Sequence, residues 1–357
     1  MFREDHSSHD KRYHAPDSAG TRARGISPLI FLYWLSLLGL LLLLIMASLR
    51  LGTLAVSTGQ MMDAIFSYDP DVYEQIVIRT LRIPRTLVAA MAGAALAVAG
   101  SAMQAVTRNP LAGPSIFGVN AGAAFAVVIA IYLWGITRPI HYVWFAFAGG
   151  LSVSALVFII ASSGRAGASP AKLALAGVIV SSLIGAWTTA ILILDQQTLE
   201  IVRFWMAGSL SGRDMEVFFS LFPFVFLAST GLLLLGHQLN VLALGNETAM
   251  VLGMNTSRVK GITAILVVLL SGSAVSAAGP IAFVGLAVPH IIRSFTGPDY
   301  RRILFFSILA GPAVLIGADI LGRIAARPGE IPVGIVTALI GAPFLIVLAR
   351  RRKLAGL

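Results

Sequence analysis

The sequence predicts an all-α membrane protein with about ten transmembrane helices. Its 357 residues are 57% hydrophobic and 12% charged, whereas roughly a quarter of the residues in soluble domains are charged. Each crossing of a bilayer requires roughly 20 apolar residues, and this composition supplies enough of them for about ten crossings joined by short loops. The composition therefore excludes an ordinary soluble enzyme.

The chain begins with a polar region that differs in composition from the rest. Residues 1–28 are mixed in charge and rich in turn-forming residues, and an uncharged stretch from Leu29 to Leu49 follows. A secretory signal has an apolar core of only about 7–15 residues, so this longer stretch is predicted to be the first span. We expect a disordered cytoplasmic tail over residues 1–28 and a transmembrane domain over residues 29–357.

Further apolar segments are predicted to be helical spans. They lie at about 84–106, 113–133, 141–161, 172–194, 216–236, 261–278, 281–293, 303–322 and 332–349. The segment at 281–293 is too short for a full span and follows Gly279-Pro280, so we expect a broken or tilted helix there. Such breaks occur at membrane depth only where protein or a water-filled cavity satisfies the backbone.

The distribution of basic residues predicts the orientation of the chain. An even number of spans places both termini on one side, and an excess of Lys and Arg marks the cytoplasmic loops. Most of the 26 basic residues fall inside when the termini are cytoplasmic, which indicates a multi-pass protein of the cytoplasmic (inner) membrane. The basic residues left outside are all arginines: Arg50, Arg79, Arg82, Arg85, Arg138, Arg203, Arg213, Arg323 and Arg327.

Ionisable residues are rare inside the predicted spans, which disfavours an ion-driven secondary transporter because such proteins place functional charges at mid-bilayer. Asp195, His290 and Asp319 lie near predicted helix ends, where we expect solvated or helix-capping roles. No cluster of acid, base or nucleophile residues indicates a catalytic site. An enzyme embedded in the membrane is therefore also disfavoured.

The sequence contains no phosphate-binding loop of its own, because none of its lysines is followed by Ser or Thr. If ATP drives this protein, a separate subunit must bind it.

The histidines of the tail, His6, His9 and His14, are accompanied by neither Cys nor clustered carboxylates. We therefore predict no metal site and no cofactor.

The longest polar stretch between spans, residues 237–260, alternates apolar and polar residues. Gly245 and Gly253 are predicted to divide it into two short helical pieces. Amphipathic helices of this kind dock on a partner protein or on lipid. Arg258 and Lys260 are the only Lys or Arg residues in this stretch, so docking on a protein is favoured over docking on lipid.

Several motifs resemble those of one transporter family. The stretch LALGNETAMVLGMN resembles the cytoplasmic coupling segment of ABC importer permeases. The other segments are LRIPRTLVAAMAGAALAVAGSAMQAVTRNPLAGPSIFGVNAGAA (81–124), LALAGVIVSS (173–182), FWMAGSLSGRDM (204–215), GPIAFVGLAVPHIIR (279–293) and GEIPVGIVTALIGAPFLIVLARRR (329–352). Together they resemble the FecCD family of iron-siderophore, haem and cobalamin permeases, from about residue 50 to the end of the chain.

This resemblance implies a type II ABC importer permease fold and a set of partners. The partners are two copies of an ATP-binding subunit, a periplasmic or lipid-anchored substrate-binding protein, and a second permease subunit, identical or different. It implies neither catalysis by this chain nor nucleic-acid binding. The coupling segment would be residues 239–260, with ATPase contacts at Glu247, Ala249, Leu252 and Gly253.

The resemblance also implies that Arg82, Arg85 and Arg323 dock acidic side chains of the substrate-binding protein. Arginine suits this role because its planar guanidinium matches a carboxylate. The alternative is that these arginines extend along the membrane interface with their charged ends in water. Pro84 lies between the first two, and proline is common in the first turn of a helix, so the second span is predicted to begin there.

The loop at 161–172 corresponds in the family to a narrow point of the pathway on the cytoplasmic side. Ser169, Pro170 and Ala171 would form a cytoplasmic gate, although Pro170 departs from the small polar residues expected there. A plain turn is the alternative.

The predicted cargo is a ferric siderophore. The stretches GVNAGAAFAVV and QTLEIVRFWMAGSLSGRD are most like those of siderophore permeases, and no cluster of His or Tyr suggests haem ligands. Haem or cobalamin is the alternative cargo, and an ATP-independent secondary transporter is the contrasting class.

Overall fold

The computed structural model describes residues 28–52, 54, 56–163 and 169–355. The predicted tail lies outside these residues, apart from Pro28. All regular secondary structure in the described part is helical, in agreement with the predicted all-α class. The α-helices are α1 Pro28–Arg50, α2 Thr58–Phe66, α3 Tyr73–Val77, α4 Ile83–Thr107, α5 Val119–Trp134, α6 Pro139–Ser162, α7 Pro170–Leu194, α8 Gln196–Met206, α9 Met215–Leu234, α10 Gly236–Ala243, α11 Asn246–Val251, α12 Thr256–Ala278, α13 Val284–Thr296, α14 Tyr300–Ala325 and α15 Val333–Ala355.

Every apolar segment predicted from the sequence contains a helix. Among the described residues, 7 helices are long and apolar enough to cross a membrane, and α5 and most of α15 are shorter apolar helices. The remaining segment, α13, has 13 residues, fewer than the roughly 20 that a span requires. It follows a non-helical stretch in which Gly279 and Phe283 have positive φ, so the expected broken helix is confirmed.

The second span begins earlier than predicted. Helix continues over 35 residues from Tyr73 to Thr107, and Pro84 lies inside it. A π-helical turn at Ile78–Arg82 comes directly before Pro84, with the N–H of Ile83 bonded to the carbonyl of Ile78. A proline ring crowds the preceding turn of a regular α-helix, and the wider π turn relieves this crowding. Pro84 therefore lies in the first turn of α4, as predicted, but the helical span that contains it begins at Tyr73.

Helix α4 forms the centre of the bundle and packs against α12, α13 and α14. Small residues permit close approach of the backbones, as is usual in lipid. A Cβ atom at Gly100 would overlap the carbonyl group of Gly285 in α13, and one at Gly93 would lie 2.5 Å from the carbonyl oxygen of Gly311 in α14. These contacts fix α4 between its neighbours.

Helices α4 and α14 connect two ends of the molecule that carry different chemistry. At about 1.5 Å per residue, α4 is roughly 37 Å long. One end holds Arg82 and Arg85 together with the C-terminal turns of α14. The opposite end holds α10, which packs against α4 and α14, and α11, which contacts α10 and α12.

Candidate functional site

The predicted docking arginines lie together at one end of the bundle. We call the group formed by Arg82, Arg85, Asp319, Arg323 and Glu330 the arginine cluster. Arg85 forms ion pairs with Asp319, at 2.8 Å between Nη2 and Oδ1, and with Glu330, at 2.7 Å between Nη1 and Oε2. The Nε atom of Arg323 lies 3.1 Å from the other oxygen of Asp319. One carboxylate is thus shared by two guanidinium groups, and Glu330 supplies a second negative charge.

Asp319 does not have the solvated or capping role expected for it. Its side chain is 2% exposed and lies between Arg85 of α4 and Arg323 of its own helix. A buried carboxylate is tolerated only when paired charges and hydrogen bonds replace its hydration. Arg85 donates hydrogen bonds to both oxygens of Asp319 and Arg323 adds a second paired charge, so the residue has an internal structural role.

Arg82 and Arg323 bind the C-terminal end of α1. The last carbonyl groups of a helix have no partners within it, and here guanidinium groups supply them. Arg82 donates to the carbonyl oxygens of Leu49, Arg50 and Leu54, and Arg323 donates to the carbonyl oxygens of Ser48 and Leu51 and to the Ser48 hydroxyl. The two arginines therefore fasten α1 to α4 and α14.

Burial distinguishes the members of the arginine cluster. Arg82 is 5% exposed and Arg323 is 2% exposed, so neither extends its charged end into water as the interfacial alternative requires. The side chains of Arg85 and Glu330 reach the surface more, with 13% and 30% exposure. Docking of a binding protein stays a prediction, and Arg85 is the member of the predicted set best placed to contact a partner.

The coupling segment at the other end has the predicted form of two short helices. Gly245 and Gly253, with φ of 122° and 79°, end α10 and α11, because residues with a Cβ rarely adopt such angles. Ala249 is fully buried, while Leu252 is 63% exposed beside Val251 at 86%. Glu247 is exposed. The segment therefore presents an acidic residue and a row of apolar side chains at the surface.

Asn240 attaches the coupling segment to the bundle, which the sequence analysis did not anticipate. Its Nδ2 donates to Oδ1 of Asp299 at 2.6 Å, and its Oδ1 accepts from the backbone N–H of Tyr300 at 2.7 Å. Asp299 in turn caps the N-terminus of α14. This helix extends to Arg323, so the coupling segment and the arginine cluster contact the same rigid element.

The residues of the predicted gate begin a helix. Ser169 caps α7, its Oγ accepting from the N–H of Lys172 at 3.3 Å, and Pro170 occupies the first turn. Ala171 is exposed. Residues 164–168 lie outside the described part of the chain, so a gate at this loop remains a prediction.

Within the described residues, no group of three or more His, Cys, Asp or Glu could hold a metal ion. The tail histidines lie outside this part of the chain. Within the arginine cluster, Arg85, Asp319, Arg323 and Glu330 form ion pairs and Arg82 bonds to backbone carbonyls, an arrangement that indicates a structural role.

Comparison with known proteins agrees with this architecture. The model of the FecCD transport family matches residues 40–351. The chain is 44% identical to the Fe(3+)-citrate import system permease of Bacillus subtilis, over 86% of this chain and 90% of that protein. It is 41% identical to the ferric enterobactin transport system permease of Escherichia coli, over 89% and 96%.

A cobalamin import system permease of Halobacterium salinarum is 40% identical over 79% of this chain and 76% of its own length. Among solved structures, an inward-facing conformation of a metal-chelate type ABC transporter superposes with a TM-score of 0.79, at 30% identity, over 89% of this chain and 99% of that one. The helical fold is that of an ABC transporter permease. With a family match that covers most of its length, the chain belongs to the FecCD transport family.

Proposed function

We propose that this protein is the transmembrane permease subunit of a binding-protein-dependent ABC importer that carries ferric siderophores across the cytoplasmic membrane. The observation that carries the proposal is the identity of 44% and 41%, over nearly whole lengths, to permeases named for Fe(3+)-citrate and ferric enterobactin. Cobalamin is the second candidate cargo, because a cobalamin permease is 40% identical over a smaller share of both chains.

A separate ATPase would power transport through the coupling segment. Exposed apolar side chains beside an acidic residue make a surface suited to a protein partner, since interfaces combine an apolar centre with a polar rim. The contacts of Asn240 with Asp299 and Tyr300 would transmit a displacement of this surface to α14. ATP binding and hydrolysis would then shift the equilibrium between inward-facing and outward-facing states.

The proposal assigns the opposite ends to opposite sides of the membrane. The coupling segment and both termini would be cytoplasmic, and the arginine cluster would face the substrate-binding protein outside. Two permease subunits, identical or different, would enclose the path. A groove of about 550 Å³ along α15, lined by small and apolar residues that include Ala207, Pro280 and Gly334, suits a path without a fixed ionic site.

Uptake of radiolabelled cargo by proteoliposomes, with labelled iron in the ferric chelates and haem and labelled cobalt in cobalamin, would test the proposal. The permease is reconstituted with its ATPase and binding protein, and ferric citrate, ferric enterobactin, haem and cobalamin are supplied in turn. We expect ATP-dependent uptake of one or a few ferric chelates. Uptake of cobalamin instead would reverse the order of the cargoes, and uptake that follows a proton gradient without ATP would indicate a secondary transporter.

A further inference from the structure

A recess of about 410 Å³ lies beside the arginine cluster, between α6, α8 and the loops that precede α9 and α15. We call it the Arg213 recess; its polar and aromatic lining includes Arg85, Tyr142, Trp205, Ser209, Arg213 and Glu330. Cavities of about 300–1,000 Å³ are typical of small-molecule sites. Two stretches that the sequence analysis singled out, 204–215 and 329–352, meet here without a function so far assigned to their polar residues.

Arg213 is held firmly in this recess. It is 4% exposed, its Nη1 donates to the Tyr142 hydroxyl at 2.9 Å, and its Cζ lies 5.7 Å from the centre of the Tyr142 ring. The adjacent Asp214 caps α9 by accepting from the N–H of Val217 at 3.0 Å. The Tyr142 hydroxyl and ring therefore hold the guanidinium group, and the cap formed by Asp214 orders the adjacent backbone.

Two buried donors in this lining have no acceptor among the described residues: Nε of Arg213 and Nε1 of Trp205. Trp205 is 3% exposed, and its indole packs edge-on against Tyr142 at 6.4 Å between ring centres. A buried donor without a partner is costly, and native structures seldom retain one without a reason. Both donors belong to side chains that contact Tyr142 and line the recess, where a bound acceptor would be their partner.

The charges of the recess define the ligand class. Arg85 is already paired with Asp319 and Glu330, whereas Arg213 forms no ion pair with any described carboxylate. An oxyanion would compensate this charge and accept hydrogen bonds from both unpartnered N–H groups, and bonds to charged donors are among the strongest in proteins. We infer that the Arg213 recess binds a carboxylate or similar oxyanion of the transported chelate, an inference that rests on the proposed importer function.

Direct binding tests this site without requiring transport. The permease and its ATPase are placed in lipid nanodiscs without binding protein or ATP, and equilibrium binding of radioactive iron is measured with ferric citrate, ferric enterobactin and an uncharged ferric trihydroxamate. We expect R213Q to weaken binding of the anionic probes about tenfold, the loss of one charge-assisted contact, and to leave the uncharged probe unaffected. R138Q, which removes an exposed arginine at the start of α6, is the matched control.

W205F is the second variant, because it keeps an aromatic ring against Tyr142 and removes the Nε1 donor. It should weaken anionic binding several-fold even if R213Q fails to fold. Equal binding of the anionic probes to wild type, R213Q and W205F would overturn the inference, as would the absence of saturable binding to the wild type. The importer function fails separately, if the wild type shows no ATP-dependent uptake of any ferric chelate.

Discussion

The arginine cluster and the coupling segment occupy opposite ends of α4 and α14, and their side chains differ in burial. At the arginine cluster, Asp319 and Arg323 are almost fully buried and are paired within the chain. At the coupling segment, Glu247 is exposed and Val251 is 86% exposed. Conspicuous charge in a sequence can therefore serve the fold, whereas exposed apolar residues are the better indication of a partner surface.

The energies involved explain this difference. Removing one member of a buried ion pair leaves an uncompensated charge and costs about 3–5 kcal/mol, whereas an exposed pair contributes about 0–1 kcal/mol. Substitutions at the arginine cluster should therefore act mainly on folding. Substitutions in the coupling segment should act mainly on the connection with the ATPase.

The largest effect is expected for Asp319→Asn. The change keeps the shape of the side chain but leaves Arg85 and Arg323 without their shared carboxylate, so the free energy of unfolding should fall by about 3–5 kcal/mol. Intrinsic tryptophan fluorescence during unfolding in detergent measures the loss. The control is Glu200→Gln, which breaks an exposed pair with Arg203 and should cost less than about 1 kcal/mol. Equal destabilisation by the two variants would contradict a structural role for the cluster.

Hydropathy and glycine positions predicted much of this molecule, but not the partners of its charges. The apolar segments and the short helices bounded by Gly245 and Gly253 follow from local sequence. The helix before Pro84 was missed because polar residues such as Glu74 and Arg79 interrupt its hydrophobic pattern. Asp319 lies 234 positions from Arg85, and no local pattern connects such residues. The same reason explains why the roles of Asn240 and Arg213 were not anticipated.

Asn240→Ala should show that the coupling segment is attached to α14 through one side chain. The variant removes the bonds to Asp299 and to the N–H of Tyr300, so the free energy of unfolding should fall by about 1–3 kcal/mol and ATP-dependent uptake should fall further than ATPase activity. Uptake and ATP hydrolysis are measured on the same proteoliposomes. The control is Asn255→Ala, which removes a cap of α12 but no bond to α14. If both variants lower uptake equally, the bonds of Asn240 do not transmit a displacement of the coupling segment to α14.

Substitution of Gly253 should separate coupling from folding. Its φ is 79° and no atom lies within 4 Å of the position a Cβ would occupy, so the cost is backbone strain of about 1–2 kcal/mol. Gly253→Trp should fold and insert, yet lose ATP-coupled uptake and copurify with less ATPase. Gly261→Ala is the control, because it also has open space around it but lies in a regular helix. Unchanged uptake and ATPase copurification in Gly253→Trp would contradict the coupling role.

Arg85→Gln, which should cost less stability than Asp319→Asn, tests the remaining docking prediction. Asp319 keeps its pair with Arg323 at 3.1 Å, so the fold should tolerate the change better than Asp319→Asn. Charges at the edge of an interface chiefly accelerate association, and salt screens them. We expect Arg85→Gln to slow association with the substrate-binding protein several-fold at low salt and to weaken its salt dependence, as measured by stopped-flow fluorescence.

Two controls separate docking by Arg85 from a general effect of charge or fold. Arg138→Gln removes the same charge from an exposed position at the start of α6, and it should change the association rate less. Glu330→Gln removes the carboxylate that shields Arg85 at 2.7 Å, so association with an acidic partner should become faster. If all three variants associate at the wild-type rate at low salt, Arg85 does not dock the substrate-binding protein. The arginine cluster would then serve only the fold, and the coupling segment would be the partner surface of the two.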